Sequence, residues 1–536
     1  MKDKYYDRSV IDVFDETCAK YPDNNAFSCM GRTLRFAEIN RLSAKFAAYL
    51  QTQTNLQPGD RIAMQMPNIL QYPVVLFGAL RAGLVVVNSN PLYTPREIKH
   101  QLVDSGAKAL VVLANVAEAA ASILDETDVE QVIVTELADL HTPLKRLLIN
   151  YVVDHVKKLV PQVHFKQRIS LLECLAVNGS HFVSVERQPE DIAVLQYTGG
   201  TTGVAKGAML THRNLVANMV QVKAQLSDIF REGEDYFVAP LPLYHIYAFT
   251  IHCMCTFSQG SHTLLIPNPR DIKAFVEALK DQPFTGFIGL NTLFNALCHN
   301  EGFKQLDFSH LRLTCSGGMA LTHDASLLWQ QTTGNHICEG YGLTETSPVA
   351  CINPYSAIRD GSVGTPVPDT EVKLMDAFGD DVAKGEVGEL CIRGPQVMKG
   401  YWRREAETRE AIDLDGWFRT GDLAEIQADG YVRIVDRIKD MIIVSGFNVY
   451  PNEIEDIACS HPDVLEAAAI GIADAVSGEA VKLFVVKQSE SLTAAILLKF
   501  CRENLTAYKI PHTIEFRDQL PKTNVGKVLR RLLKDS

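Results

Sequence analysis

The sequence predicts an α/β protein: a large N-terminal domain of two α/β subdomains plus a small β-rich subdomain, followed by a small α+β C-terminal domain. Three observations carry that prediction. Helical and extended patterns alternate early in the chain and again between about residues 205 and 350, the rhythm of helices packed on a largely parallel sheet. From about residue 361 the runs become short and extended between Gly and Pro turns. Beyond "DRIKD", residues 436–440, helical and strand patterns start afresh.

The first half supplies its elements in order. "FAEINRLSAKFAAYLQ" puts Phe36, Ile39, Leu42, Phe46 and Tyr49 on one helical face. "RIAMQM" reads as a strand, "QYPVVLFGALRAG" as a helix that stops at Gly83, and "LVVV" as a buried strand. "PREIKHQLVDSG" and "ALVVL" repeat the step. "DIAVLQY" is a strand running into a glycine loop, "GAML" a short strand leaving it, and Thr211 an N-cap for the next helix.

The second half changes texture. "VGTPVPDTEVKLMD", "GEVGELCIRG" and "GYVRIVD" are extended runs of a β-rich subdomain. "VLEAAAIGI" and "AVKLFVV" are strands and "TAAILLKFCRENL" a helix of the closing domain. The expected division is 1–438 and 439–536, with Lys439 at a charged turn. That turn holds no Gly/Ser run and suits a hinge better than a tether.

Composition bounds the class. The chain has 536 residues, 46% hydrophobic and 22% charged, the balance of a globular protein too large for one core. The charged N-terminus lacks the apolar core of a signal peptide, and no run of about 18 apolar residues exists to span a bilayer. Twelve scattered cysteines fit a reduced, cytoplasmic protein, and Cys253 and Cys255 have no second pair to build a zinc site. The net charge of -12 argues against broad nucleic-acid binding. The segment 143–168 runs the other way, with Lys145, Arg146, Lys157, Lys158, Lys166 and Arg168 against Asp154. Leu144, Leu147, Leu148, Tyr151, Val152, Val156 and Leu159 recur there at helical spacing. Such a helix either packs its apolar face on the core or lies on an anionic membrane.

Four stretches carry chemistry. "TGGTTGVAKG" has the glycines and hydroxyls of a backbone cradle for phosphate, or of a Gly/Thr hairpin turn. It fails the P-loop pattern, because Lys206 lies between Ala205 and Gly207 and a strand follows. "EGYGLTETSP" places Glu345 beside hydroxyls, as a Mg²⁺ ligand against phosphate or as a solvated acid. "RTGDL" offers Asp422 to two ribose hydroxyls, with Arg437 to add a charged fork. "PKTNVGKVLRR" holds Lys527, either a lysine for transition-state charge or part of a basic end.

In this order and at these separations, the four stretches resemble the adenylate-forming superfamily of acyl-CoA synthetases, and within it the bacterial long-chain fatty-acid–CoA ligases. The resemblance spans essentially the full length, from "PNILQYPVVLFGALRAG" and "NPLYTPREIKHQLVDSG" to "DMIIVSGFNVYPNEIED" and "PKTNVGKVLRR". It implies ATP-dependent conversion of long-chain fatty acids to acyl-CoA through acyl-AMP, with release of AMP and pyrophosphate. Thr198, Gly199, Gly200, Thr201, Thr202, Gly203 and Lys206 match the loop that grips the β- and γ-phosphates. Thr344 matches the hydroxyl near the α-phosphate and Glu345 the Mg²⁺ ligand. Glu339, Gly340, Tyr341 and Gly342 match the ATP/AMP site, in which Tyr341 and the turn at Gly317 and Gly318 match the adenine part. Asp422 matches the ribose acid, Arg437 its partner, and Lys527 the lysine of the adenylation step. His245 matches a histidine near the acyl carboxylate, and Phe249 falls where some members carry an aromatic gate to the acyl tunnel, or is ordinary core.

The resemblance further implies a mobile C-terminal domain that pivots at Lys439 and brings Gly446 to the pantetheine channel. Mg²⁺ is the implied cofactor, with ATP, CoA and a long-chain fatty acid as substrates and no nucleic-acid partner. A homodimer stays open, as does peripheral attachment to the inner face of the membrane through 143–168. The competing readings are a fatty-acyl-AMP ligase, which passes its adenylate to a carrier protein, and a medium-chain or aryl acyl-CoA synthetase. A P-loop kinase, which would release ADP, is disfavoured by the failed pattern.

Overall fold

The computed structural model describes residues 6–198, 204–383, 385–474, 477–523 and 526–534. Two large sheets form the N-terminal part. The first has seven strands in the order Ile169–Ser170, Gln131–Thr135, Ala107–Leu113, Arg61–Gln65, Val85–Ser89, Ile192–Thr198 and Lys206–Thr211. All pairings in it are parallel except the last, a hairpin in which Thr198 faces Lys206. The second has nine strands, with a parallel centre running through Tyr236–Ala239, Gly286–Gly289, Leu313–Ser316 and Ile337–Gly342. Parallel strands need crossover connections, which explains the helix after almost every strand.

The sheets share one core. Helices Val10–Lys20, Phe36–Gln53, Gln71–Arg81 and His212–Gln225 bury apolar residues in a cluster that includes Ile62 and Val86 of one sheet and Phe237 and Ile288 of the other. The helix Phe36–Gln53 buries Phe36, Ile39, Phe46 and Tyr49, the face its periodicity indicates. Gly83 ends the following helix in a left-handed conformation with φ +83°, which a β-carbon would strain. Thr211 caps His212–Gln225, its hydroxyl accepting from the Asn214 N–H.

Two expectations change. "VGTPVPDTEVKLMD" is not one extended run. Thr365–Pro366 closes the edge of the nine-stranded sheet, the chain turns at Asp369 (φ +59°), and Glu371–Met375 enters a separate four-stranded antiparallel sheet. Pro366 forms no donor N–H, which confines it to that edge. The basic segment is an α-helix only over Pro143–Tyr151, continues as a π-turn over Val152–Val156, and is irregular to residue 168. Its apolar side does not pack on the core: Leu144, Leu147 and Leu148 are 83%, 71% and 63% exposed. Val153 is the residue of Pro143–Val156 that is buried.

After Val432–Arg437, the last strand of the four-stranded sheet, the 3₁₀ turn Ile438–Asp440 leads into a five-stranded sheet. Val464–Asp474 and Gly478–Lys487 pair along their length there, and helices Pro451–Cys459 and Ala494–Asn504 share their core. This unit touches the N-terminal part. Asn452 donates from its backbone to Asp436 Oδ2 (2.8 Å) and from Nδ2 to the Val435 carbonyl (3.2 Å). All twelve cysteines are free, and all but Cys459 are buried.

Candidate active site

The site grows from two neighbouring strands of the nine-stranded sheet. Leu313–Ser316 and Ile337–Gly342 run parallel with Ser316 opposite Glu339, so the turns at their C-terminal ends lie side by side. A β-carbon on Gly317 would stand 3.3 Å from the Gly340 carbonyl and 3.3 Å from the Tyr247 ring. One on Gly342 would stand 1.9 Å from the Pro348 carbonyl, so no other residue fits there. The chain then makes the 3₁₀ turn Thr344–Thr346, which leaves Thr344 partly open and Glu345 buried.

The four-stranded sheet supplies the second wall. Asp422 and Arg437 are cross-strand partners, and Arg437 Nε lies 3.2 Å from Asp422 Oδ1. The other carboxylate oxygen accepts from the Tyr341 hydroxyl at 2.6 Å. A buried carboxylate thus joins the two sheets, and its charge is matched by a guanidinium.

Lys527 arrives from the other end of the chain. Gly526 approaches the helix Asn291–Cys298, where a β-carbon on it would stand 3.0 Å from Thr292 Oγ1. Burial pushes the Lys527 amine down to about 7; Arg437 lowers it further, and Asp422 opposes them. This environment favours the neutral amine, and an anion brought beside it would restore its charge. Behind it, Arg530 ties Asp440 (3.1 Å), Asn452 (2.8 Å) and Glu455 (2.8 Å) together. The "RR" that follows Lys527 in the sequence is therefore not a loose basic end, since Arg530 is bound into the C-terminal unit.

Glu345 has a partner that the motifs do not reveal. Its Oε1 accepts from the Tyr401 hydroxyl at 2.7 Å, and burial pushes its carboxyl above the ordinary range. Lys206 Nζ lies 5.1 Å from the centre of the Tyr401 ring. Tyr401 therefore links the strand leaving the glycine loop to Glu345. Residues Gly199, Gly200, Thr201, Thr202 and Gly203 of that loop lie outside the described residues; Thr198 and Lys206 pair at its base.

On the third side, the segment 240–245 carries His245, which caps the short helix Ile246–Ala248. His245 Nδ1 accepts from the Tyr247 N–H at 3.3 Å, and burial pushes the ring down to about 4. The imidazole is thus neutral, with its proton on Nε2 available for donation. Phe249 begins the π-helix Phe249–Cys255 and is fully buried. The next residue, Thr250, donates to the Ser347 carbonyl at 2.7 Å, fastening this helix to the Glu345 turn.

The match of the AMP-binding enzyme family model to residues 14–402 decides the assignment, and that of the AMP-binding enzyme C-terminal domain covers 453–527. The chain belongs to the AMP-binding enzyme family. It is 52% identical to a long-chain-fatty-acid–CoA ligase of Escherichia coli O157:H7, over 99% of this chain and 95% of that protein. Its structure is similar to ATP-bound MatB from Rhodopseudomonas palustris, with a TM-score of 0.86, 28% identity and coverage of 98% of this chain and 99% of that one. It is also similar to the anthranilate CoA ligase AuaEII in complex with anthranoyl-AMP, with a TM-score of 0.87, 25% identity and coverage of 99% and 97%.

Not every expected residue of this AMP-binding enzyme reaches the centre. Gly446 occupies an exposed hairpin turn with φ +83°, and a β-carbon there would meet nothing within 4 Å. Lys439 lies in the turn between the two parts, its amine lowered by burial and by Arg437. Glu339 is buried within the strand Ile337–Gly342. Its Oε1 accepts from the Leu321 N–H at 3.1 Å, and burial, with Asp456 and Asp360 nearby, pushes its carboxyl up to about 8. It lines a 350 Å³ cavity with Asp456 and Cys459 that Glu345, Asp422 and Lys527 do not line.

The donor set also tests the expected metal. Among the described residues no group of three or more His, Cys, Asp or Glu could hold an ion. A lone buried carboxylate beside a threonine fits Mg²⁺, which is commonly held by one or two carboxylates together with substrate phosphates.

Proposed function

We propose that this AMP-binding enzyme activates long-chain fatty acids. The carboxylate attacks the α-phosphorus of ATP, pyrophosphate leaves, and CoA thiolate then displaces AMP from the acyl-AMP. The observation that carries this reading is the convergence of Tyr341, Asp422 and Arg437 with Lys527 from the C-terminal unit, beside the turns at Gly317 and Thr344. The E. coli relative supports the acid, and the ATP-bound and adenylate-bound structures support the nucleotide and the intermediate.

Each residue has a task. Asp422 accepts from the ribose hydroxyls, with Arg437 holding its orientation. The loop from Thr198 to Lys206 grips the departing pyrophosphate. Thr344 and Lys527 face the α-phosphate, where negative charge gathers during attack. Glu345 would hold Mg²⁺, which supplies positive charge to the phosphates. A fatty carboxylate is already ionised near pH 7, so no strong general base is needed. Neutral His245 orients it by donating from Nε2, and Phe249 stands at the entrance of the acyl tunnel. Rotation at Lys439 then withdraws Lys527 and brings the exposed Gly446 turn toward the pantetheine path.

One assay tests the reading: ATP and oleate with and without CoA, measuring AMP, ADP and thioester. AMP and oleoyl-CoA are expected to form together only when CoA is present at turnover concentration. ADP as product would overturn the reaction class. Adenylate that is never passed to CoA would make the chain an acyl-AMP ligase.

Such a substrate partitions into bilayers, and the exposed face of 143–168 supplies a surface to meet them. Leu144, Leu147, Leu148, Tyr151, Val156 and Leu159 are all exposed there, flanked by exposed Lys145, Lys157 and Lys158. Apolar side chains that enter the acyl boundary and lysines that meet anionic headgroups act together. Affinity for anionic liposomes, measured by co-sedimentation, should fall at least about thirtyfold for Lys157→Glu/Lys158→Glu. Binding that ignores both that variant and the anionic lipid content would sink the docking surface.

A further inference from the structure

The segment "APLPLYH", Ala239–His245, leaves the end of the strand Tyr236–Ala239, and beyond Ala239 it reaches the site without a sheet partner. Pro240 and Pro242 have no N–H; the His245 N–H returns to the Pro242 carbonyl (2.9 Å) and the Ile266 N–H reaches that of Ala239 (3.2 Å), which leaves the carbonyls of Leu241, Leu243 and Tyr244 to be met. The segment is nonetheless largely buried, and side chains supply the donors for these three.

They come from the other sheet. Asn68 Nδ2 donates to the carbonyls of Ala239 (2.9 Å) and Leu241 (2.8 Å), and Asn68 Oδ1 accepts from the Leu243 N–H (2.8 Å). The Tyr72 hydroxyl lies 2.8 Å from the Leu243 carbonyl and 2.7 Å from Asn88 Oδ1. Asn88 Nδ2 donates to Gln196 Oε1 (3.0 Å), and Gln196 Nε2 to the Tyr244 carbonyl (2.9 Å). All four side chains are buried. They come from the seven-stranded subdomain, Asn68 just beyond one strand, Tyr72 on the helix that follows, and Asn88 and Gln196 near the C-terminal ends of two more strands. The segment they hold belongs to the nine-stranded subdomain.

We infer that Asn68, Tyr72, Asn88 and Gln196 form a clamp between the two subdomains that positions His245 and Phe249, and so sets how the acid is held for attack. The four are positioning residues, since none touches the reacting atoms. The role in acid binding rests on the function proposed above. The clamp itself rests on the hydrogen bonds alone. An amide that offers two donors and one acceptor to three backbone groups of one short segment fixes both its path and its twist. A misplacement of about 1 Å at His245 is enough to cost up to about a hundredfold in rate.

The test has two legs. Hydrogen exchange of the Leu243 N–H, measured without substrate, should quicken at least about tenfold in Asn68→Ala, because that amide loses its acceptor. In adenylation assays, Asn68→Ala and the milder Tyr72→Phe should raise KM for fatty acid about tenfold and about threefold, with KM for ATP within about twofold. Tyr72→Phe keeps the test alive if Asn68→Ala does not fold. Unchanged exchange at Leu243 overturns the clamp. Quickened exchange with KM values for acid and ATP rising together overturns its role in acid binding. A parent protein that adenylates no fatty acid would overturn the proposed function, while exchange at Leu243 still decides the clamp.

Discussion

Lys527→Ala is expected to lower acyl-AMP formation by about 10²–10³-fold, the cost of losing one preorganised charge donor at a developing anion. CoA-dependent consumption of supplied acyl-AMP should stay within about threefold of the parent if the proposed rotation at Lys439 withdraws the lysine in that step. The placement of the two residues underlies the expected asymmetry. Lys527 sits on the C-terminal unit yet lies under the influence of Asp422 and Arg437 on the N-terminal one, whereas Gly446 of the same unit is exposed to solvent. The proposed rotation would present them in turn. The amine also predicts a proton count. In the free protein, burial and Arg437 hold it at about 7, so it is mostly neutral at about pH 8. The phosphates of ATP favour the charged form and raise its pKa again. ATP binding at that pH should therefore take up a proton, measured as a dependence of the calorimetric enthalpy on buffer ionisation, and Lys527→Ala should abolish that uptake. Equal loss of both half-reactions in Lys527→Ala would overturn the two-arrangement mechanism.

The fold class was legible because its signals are local. The face of Phe36–Gln53, the stop at Gly83 and the cap at Thr211 each follow from a few adjacent residues. Glu345, Asp422 and Lys527 stood out because glycines and hydroxyls surround them. Their partners did not. Tyr401 reaches Glu345 only because residues 399–402 pair with the strand Lys206–Thr211, through Met209 N–H to Gly400 O (2.9 Å) and Trp402 N–H to Gly207 O (2.8 Å). No periodicity reports that pairing. Asn68, Asn88 and Gln196 belong to no motif in the sequence, and the groups they serve are distant in the chain or on another sheet. The segment 143–168 shows the opposite limit. Helical spacing identifies an apolar stripe there, but spacing does not say whether protein or lipid covers it.

Glu345→Gln is expected to lower adenylation by about 10²–10³-fold while leaving the melting temperature unchanged or higher. The two effects have one cause. The carboxylate is buried, it accepts a hydrogen bond from the Tyr401 side chain, and burial raises its pKa. Such a charge costs folding free energy unless a cation is present. Glutamine has the same shape, and its carbonyl can still accept from Tyr401, so the substitution removes the desolvation penalty and keeps the packing. What it loses is the anionic oxygen that would hold Mg²⁺ against the phosphates, and the Mg²⁺ concentration giving half-maximal adenylation should rise with the loss of rate. Tyr401→Phe separates orientation from charge. It keeps the carboxylate and removes a hydrogen bond to a charged group, which is worth about 1.5–3 kcal/mol, so a loss of roughly tenfold or more is expected. The order of the two variants decides between the roles. If Tyr401→Phe proved as severe as Glu345→Gln, orientation of the turn Thr344–Thr346 would be the controlling effect. If Glu345→Gln left the Mg²⁺ dependence unmoved, the carboxylate would have no part in holding the metal.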